Sequence, residues 1–215
     1  MRFQDLCTKE QNEILWFYLS LWKFIKIIGE GAFYGTQKEK IVISSDVYTI
    51  EKYAFANSKH LEEVLFEKDS ICGFIREYAF QSCKSLKTIE IPNRILIVGE
   101  GAFQHCDIKE VDFSGSVNEW CSISFYDAEA NPISKDAKLF IANKLVENLI
   151  IPSQTTKIGS FAFSGYNYLS SVMFEEESQC STIEKCAFYQ CDNLFAAYIP
   201  LSVKTIETSA FSGTN

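Results

Sequence analysis

The stretch Ala79-Phe80-Gln81-Ser82-Cys83-Lys84-Ser85-Leu86-Lys87-Thr88-Ile89-Glu90-Ile91-Pro92 carries two signals at once. Its second half, Leu-x-x-Ile-x-Ile, alternates as a half-buried strand does, and Pro92 closes that strand where a missing N–H costs little. Its first half opens with an Ala-Phe dipeptide that returns along the chain, with the ring at Phe33, Phe55, Phe80, Phe103, Phe163, Phe188 and Phe211. The steps between these rings are 22, 25, 23, 60, 25 and 23 residues. A period this regular marks an array of like units, each unable to bury its apolar side alone and stable only when stacked on neighbours.

The register holds on both sides of each ring. Five residues upstream stands an aliphatic residue: Ile28, Ile50, Ile75, Val98, Ile158, Ile183 and Ile206. Two residues downstream comes a small or polar one, as at Gly35, Asn57, Ser82, Gly165 and Gly213. A new apolar run then opens at Leu61, Leu86, Ile108, Leu169 and Leu194, although the first unit has Lys38 and Glu39 there. The alternation predicts strands over 61–66, 86–91, 108–113, 146–151, 169–174 and 194–199, stacked in parallel from unit to unit. Leu86, Ile89 and Ile91 then face inward in one rung, and Leu169, Val172 and Phe174 in another. The residues between the last two inward ones face out: Val42, Leu65, Glu90, Asp112, Met173 and Tyr198. The Ala-Phe pair is expected in a short helical turn or an irregular segment, its rings forming a column through the interior.

This pattern resembles the BspA-type leucine-rich repeat, whose unit runs roughly Ile-x-x-Ile-Gly-x-x-Ala-Phe-x-x-Cys-x-x-Leu-x-x-Ile-x-Ile-Pro. Gly29-Glu30-Gly31-Ala32-Phe33, Ile158-Gly159-Ser160-Phe161-Ala162-Phe163 and Leu86 to Pro92 match it closely. The resemblance covers about residues 27–215. It also accounts for the 60-residue step, because arrays of this kind are often interrupted by a longer unit carrying a Trp, an Asn-Pro and a strand ending in Ile-Pro. Here those elements are Trp120, Asn131-Pro132 and Leu149-Ile150-Ile151-Pro152. The expected fold is an α/β-type repeat solenoid of ~23-residue units, mostly strand and irregular structure, with a short helix at the N-terminus. Residues 1–26 are expected to cap the array and 27–215 to form it, with the longer unit at about 114–157. Within 14–28, Leu15, Tyr18, Leu19, Trp22 and Ile25 recur at helical spacing, which predicts an amphipathic capping helix. The last unit stops at Phe211-Ser212-Gly213-Thr214-Asn215 in mid-repeat, which reads as an array cut short.

Composition agrees with a stack. Of 215 residues 47% are hydrophobic and 22% charged, which excludes a disordered chain. The 18 Phe, and the 23 Ile against 14 Leu, favour strands. A net charge of −8 argues against a nucleic-acid partner, and no apolar run is long enough to span a bilayer.

Chemistry-bearing residues are few. Cys83, Cys106 and Cys191 share one repeat position, three residues after the ring, and Cys72 aligns with Cys180. They read first as small core fillers. A disulfide between neighbouring units, such as Cys83 with Cys106, and metal ligation are the alternatives, though no Cys-x-x-Cys pair is present. His105 precedes Cys106, but neighbours in an extended segment point apart, so no Cys-His dyad is expected. His105 holds the turn position of Gly35 and Gly165 and should be exposed there. Glu175-Glu176-Glu177 reads as a solvated loop. No catalytic residue, metal site or cofactor is expected.

The function these observations imply is a non-catalytic protein-binding module whose exposed strand positions form the binding face. The resemblance implies a cell-surface or secreted adhesin with host or matrix proteins as partners. No clear signal peptide precedes the array, so a cytoplasmic interaction scaffold is the alternative, and a fragment of a larger enzyme the remaining one.

Overall fold

A computed structural model describes residues 24–133 and 136–215. The expected capping helix falls, through residue 23, outside the described residues.

Each regular coil contributes one long strand, one two-residue strand and one Ala-Phe turn, and each of the three stacks on its counterpart in the neighbouring regular coil. The long strands are β2 (Lys40–Ile43), β4 (Glu63–Phe66), β6 (Thr88–Ile91), β8 (Glu110–Phe113), β10 (Lys138–Ile141), β12 (Asn148–Ile151) and β14 (Ser171–Phe174), with the shorter β16 (Ala196–Ala197) last. The short ones are β1 (Ile27–Ile28), β3 (Thr49–Ile50), β5 (Phe74–Ile75), β7 (Ile97–Val98), β9 (Ser124–Phe125), β13 (Lys157–Ile158), β15 (Thr182–Ile183) and β17 (Thr205–Ile206). Neighbouring strands of successive coils pair in parallel, as Ile41 with Val64 and Ile50 with Ile75. The expected strands are therefore right in place but begin two residues later, because Leu61, Leu86, Leu169 and their like are buried corner residues ahead of the ladder. The rung expected at 194–199 shrinks to Ala196–Ala197. The first unit forms β2 despite Lys38 and Glu39.

The aliphatic residue five before each ring closes the short strand: Ile50, Ile75, Val98, Ile158 and Ile183 are fully buried. Inward residues of the long strands meet them across the coil, with Ile89, Ile91 and Val172 buried; Phe174 is half-buried.

The Ala-Phe segment is a turn with its own ladder, not a helix. In each regular coil the N–H of the ring residue donates to the carbonyl of the next coil's Ala: Phe33 to Ala54 at 2.7 Å, Phe55 to Ala79 and Phe80 to Ala102 at 2.8 Å, Phe188 to Ala210 at 2.7 Å. The residues two before and two after the ring donate to the next coil in the same way, as Gly31 to Lys52 and Gly35 to Ala56. Both of those positions are left-handed in every unit, from Gly31 (φ 61°) and Gly35 (φ 66°) to Ser209 (φ 57°) and Gly213 (φ 78°). This is why a small or polar residue follows the ring by two: glycine and asparagine enter that conformation at least cost. His105, at φ 61° and exposed, holds this position as expected.

The rings stack in a column. Phe33, Phe55, Phe80 and Phe103 follow one another at centroid separations of 5.2, 5.1 and 5.4 Å, with planes within 7° of parallel. A second column joins Phe163, Phe188 and Phe211 at 5.4 and 5.1 Å.

Between the columns lies the long unit. Helix α1 (Val117–Ser122) starts at a capping box in which the Ser116 hydroxyl accepts from the Glu119 N–H and the Glu119 carboxylate accepts from the Ser116 N–H. It carries fully buried Trp120 and Cys121 into the interior. The unit holds two long strands, β10 and β12, where a single rung was expected at 146–151. After β10, Ala142 and Asn143, both left-handed, make a two-residue hairpin to β11 (Lys144–Leu145), which pairs antiparallel with β10 and ends the first sheet. The first sheet thus runs β2-β4-β6-β8-β10-β11 and a second runs β12-β14-β16.

Candidate functional site

The outer side of the long strands is their solvent-facing side, because their inward residues fill the core. Register places the outward residues in rows. In the first sheet Val42 pairs with Leu65, Glu90 with Asp112 and Asp112 with Phe140, and the β4–β6 register sets Leu65 beside Glu90. A parallel row two residues earlier reads Lys40, Glu63, Thr88, Glu110 and Lys138. In the second sheet Ile150 pairs with Met173, and Tyr198 follows in register just past β16.

All six residues expected on this face are at least partly accessible. Val42 is 44% exposed, Met173 39% and Tyr198 68%; Asp112 is exposed, and Leu65 and Glu90 are half-buried. They do not form one continuous row. Val42, Leu65, Glu90 and Asp112 share the first sheet, while Met173 and Tyr198 stand on the second, beyond the hairpin. Two further outward residues stand outside the expected set: half-buried Phe140 and exposed Ile150. Ile150 lies between Leu149 and Ile151 on the strand expected at 146–151, while Phe140 lies on Lys138-Leu139-Phe140-Ile141, a strand-like alternation whose register the 60-residue step hid.

Electrostatics on the face are uneven. Lys40 and Glu63 form an ion pair at 2.6 Å. Glu90 and Asp112 have no ion-pair partner among the described residues, although Glu90 accepts from the Phe66 N–H at 3.5 Å, and burial pushes both carboxyls above their ordinary range, with Asp112 adding to the shift of Glu90 and Glu110 to that of Asp112. At the edge of the strands Lys109 and Lys87 hold the Asp107 carboxyl down at about 2.

The cysteines prove to have a specific task. The thiol of Cys83 donates to the Phe55 carbonyl at 3.2 Å, Cys106 to Phe80 at 3.1 Å and Cys191 to Phe163 at 3.0 Å. Ser58, at the same repeat position, donates to Phe33 at 3.3 Å. The position therefore supplies a short donor that satisfies the ring residue's carbonyl one coil back. Cys72 and Cys180 also match each other, each taking its N–H to a serine hydroxyl two residues before it. The seven described cysteines are free thiols. Burial raises Cys72 and Cys191 to about 12, and contact with Cys83 together with burial raises Cys106, so these groups remain protonated.

Among the described residues no group of three or more His, Cys, Asp or Glu is placed to hold a metal ion, and no helix is long and apolar enough to cross a membrane. Glu175, Glu176 and Glu177 are exposed, and Glu175 accepts from the Ser153 N–H of the preceding coil.

A stack of parallel ladders with an apolar column inside and a free strand face is a leucine-rich repeat solenoid. The chain belongs to the BspA type leucine-rich repeat family, whose profile matches residues 17–131 and 134–215 in six copies. Curated proteins provide no match. Solved structures similar to it include the pneumococcal vaccine antigen PcpA, at 19% identity and TM-score 0.44, covering 87% of this chain and 59% of that one. A leucine-rich repeat protein from Bacteroides ovatus is 18% identical with TM-score 0.41, covering 89% of this chain and 62% of that one. The T. pallidum protein TpLRR is 21% identical with TM-score 0.40, covering 84% and 65%. The chain thus spans about three fifths of the length of the antigen.

Proposed function

We propose that this chain is a non-catalytic protein-binding module of a cell-surface or secreted adhesin, and that it binds through the outer face of its long strands. The observation that carries the reading is a division of labour along each rung. Inward residues are buried in one core, while Val42, Ile150, Met173 and Tyr198 are apolar and solvent-exposed on the opposite side. Large apolar side chains at solvent-facing strand positions mark contact surfaces. Host or matrix proteins are the partners in this reading, with no nucleic acid and no cofactor. Residues 1–26 act as the cap and 27–215 as the array.

The test is a pull-down comparing the intact chain with a Leu65→Asp/Met173→Asp/Tyr198→Asp variant whose circular dichroism and melting are unchanged. Loss of captured protein supports the face; undiminished capture by the folded variant refutes it. An intracellular scaffold is the second reading, favoured by thiols that donate to carbonyls instead of pairing with each other. Counting reactive thiols in denatured protein from its native source separates the two. All cysteines free supports the scaffold, and paired ones support the surface.

A further inference from the structure

The first-sheet row has a pattern beyond being exposed: two apolar residues, two acids, one aromatic. Val42, Leu65, Glu90, Asp112 and Phe140 follow one another across five hydrogen-bonded strands. The two acids lie side by side in register at its centre. Neither has an ion-pair partner among the described residues, although the neighbouring row satisfies Glu63 with Lys40. Two adjacent carboxylates on a sheet face, flanked in register by Leu65 and Phe140, are complementary to one cation. They repel a second anion.

The spacing defines the rest of the partner. Adjacent strands lie about 4.8 Å apart, so Leu65 and Phe140, three strands apart, are separated by about 14 Å. An extended peptide advances about 3.3 Å per residue, which puts its side chains i and i+4 about 13 Å apart on one face. The side chain at i+2 then falls midway, between Glu90 and Asp112. We propose that this row receives an extended protein segment of the form apolar-x-Arg/Lys-x-apolar, lying across the strands along the stack. Its central cation bridges Glu90 and Asp112, and its apolar residues rest on Leu65 and Phe140. Arginine suits the position best, because its planar fork can donate to both carboxylates at once. This rests on the reading of the strand face as a protein-binding surface and names the chemistry of what binds there.

The test uses the full chain and two fluorescein-labelled nonapeptides with Leu-Thr-Arg-Thr-Leu at the centre, one with arginine and one with neutral citrulline in its place. The expected result by fluorescence polarisation is that the arginine peptide binds at least about tenfold more tightly, the difference made by one charge-assisted contact. Its advantage should shrink as salt is raised, and fall to about twofold or less in a Glu90→Gln/Asp112→Asn variant. Equal binding of both peptides overturns the cationic partner while leaving the face as a binding surface. Absence of binding by either peptide also overturns it, and the pull-down above then judges the face independently. The peptide pair decides the matter even if the double variant does not fold.

Discussion

The regular coils and the long unit satisfy the same backbone groups by different means. Between two regular coils, the carbonyl of each Ala in the Ala-Phe turn accepts from the preceding ring residue's N–H, as at 2.8 Å from Phe55 to Ala79. Ala162 follows the long unit and has no such neighbour. Its carbonyl instead accepts from the Trp120 indole N–H at 2.9 Å and the Asn131 amide at 3.0 Å, and the same amide donates to Phe161 at 2.8 Å. Tyr166 finishes the seam: its hydroxyl accepts from the Leu139 N–H and donates to the Val146 carbonyl. Gly159 approaches so closely, with its N–H 2.8 Å from the Cys121 carbonyl, that a Cβ there would lie 2.6 Å from the Ile123 carbonyl oxygen. Where stacking is interrupted, side chains must donate what a neighbouring backbone otherwise would, since buried carbonyls are costly to leave unmet. The Trp and the Asn of the long unit are there for that reason, and Trp120 also packs against two core rings, 5.2 Å from Phe113 and 5.5 Å from Phe125.

This contrast can be broken most severely at Trp120. Trp120→Ala should cost about 3–5 kcal/mol as a large buried truncation, with about 1–3 kcal/mol more from the carbonyl contact it weakens. Because solenoid stability is a sum of neighbour contacts, the urea transition should split in two as the coils on either side of 114–157 uncouple. Trp120→Phe keeps a ring and removes the donor, so it should lose only the second part. A single unchanged transition in Trp120→Ala would refute the seam. The regular side is probed next: Phe80→Ala, between Phe55 and Phe103, should cost about 3–5 kcal/mol by chemical denaturation, and Phe211→Ala clearly less. Phe211 is half-buried and, among the described residues, stacks on Phe188 alone.

A milder probe is the donor position. Cys83→Ser should change stability by less than about 1 kcal/mol, because Ser58 performs the same task a coil earlier, whereas Cys83→Val should cost about 1–3 kcal/mol by leaving the Phe55 carbonyl without its donor. Equal costs would make Cys83 a filler after all.

The smallest effect concerns Glu90 and Asp112 on the face. A carboxyl whose folded pKa is raised binds its proton more tightly when folded, so its ionisation opposes folding. That penalty is complete above the folded pKa and gone below the unfolded values of about 3.9–4.3. Glu90→Gln/Asp112→Asn should therefore raise stability at neutral pH by under about 1 kcal/mol, since both groups remain partly solvated. Melting curves should show the gain disappearing near pH ~3. A loss at neutral pH would mean that the two acids are better satisfied than their surroundings indicate.

Within the regular coils most of this was legible from one line of residues. The period, the inward Ile89 and Ile91 and the outward Glu90 follow from alternation alone, because strand geometry sends successive side chains to opposite faces. Phe140 was not legible, because a 60-residue step contains no second Ala-Phe to fix its register, whereas Ile150 lies on the expected strand 146–151 and its outward position follows from the same alternation. The cysteines were placed by repeat position and read first as fillers, with a disulfide or metal ligation as alternatives, and none of these names the carbonyl they donate to. Their bond runs to a carbonyl 28 residues earlier in the case of Cys83, and only stacking reveals such a partner.

The sequence by itself determined that the chain folds as a leucine-rich repeat array and which strand residues turn inward, since both depend on local period. The tertiary structure alone decided how the coils on either side of the long unit are joined, and that the face breaks into two sheets. It also decided that Glu90 and Asp112 stand side by side, with no counter-ion among the described residues. Those are relations between residues many positions apart, set by the stacking of coils.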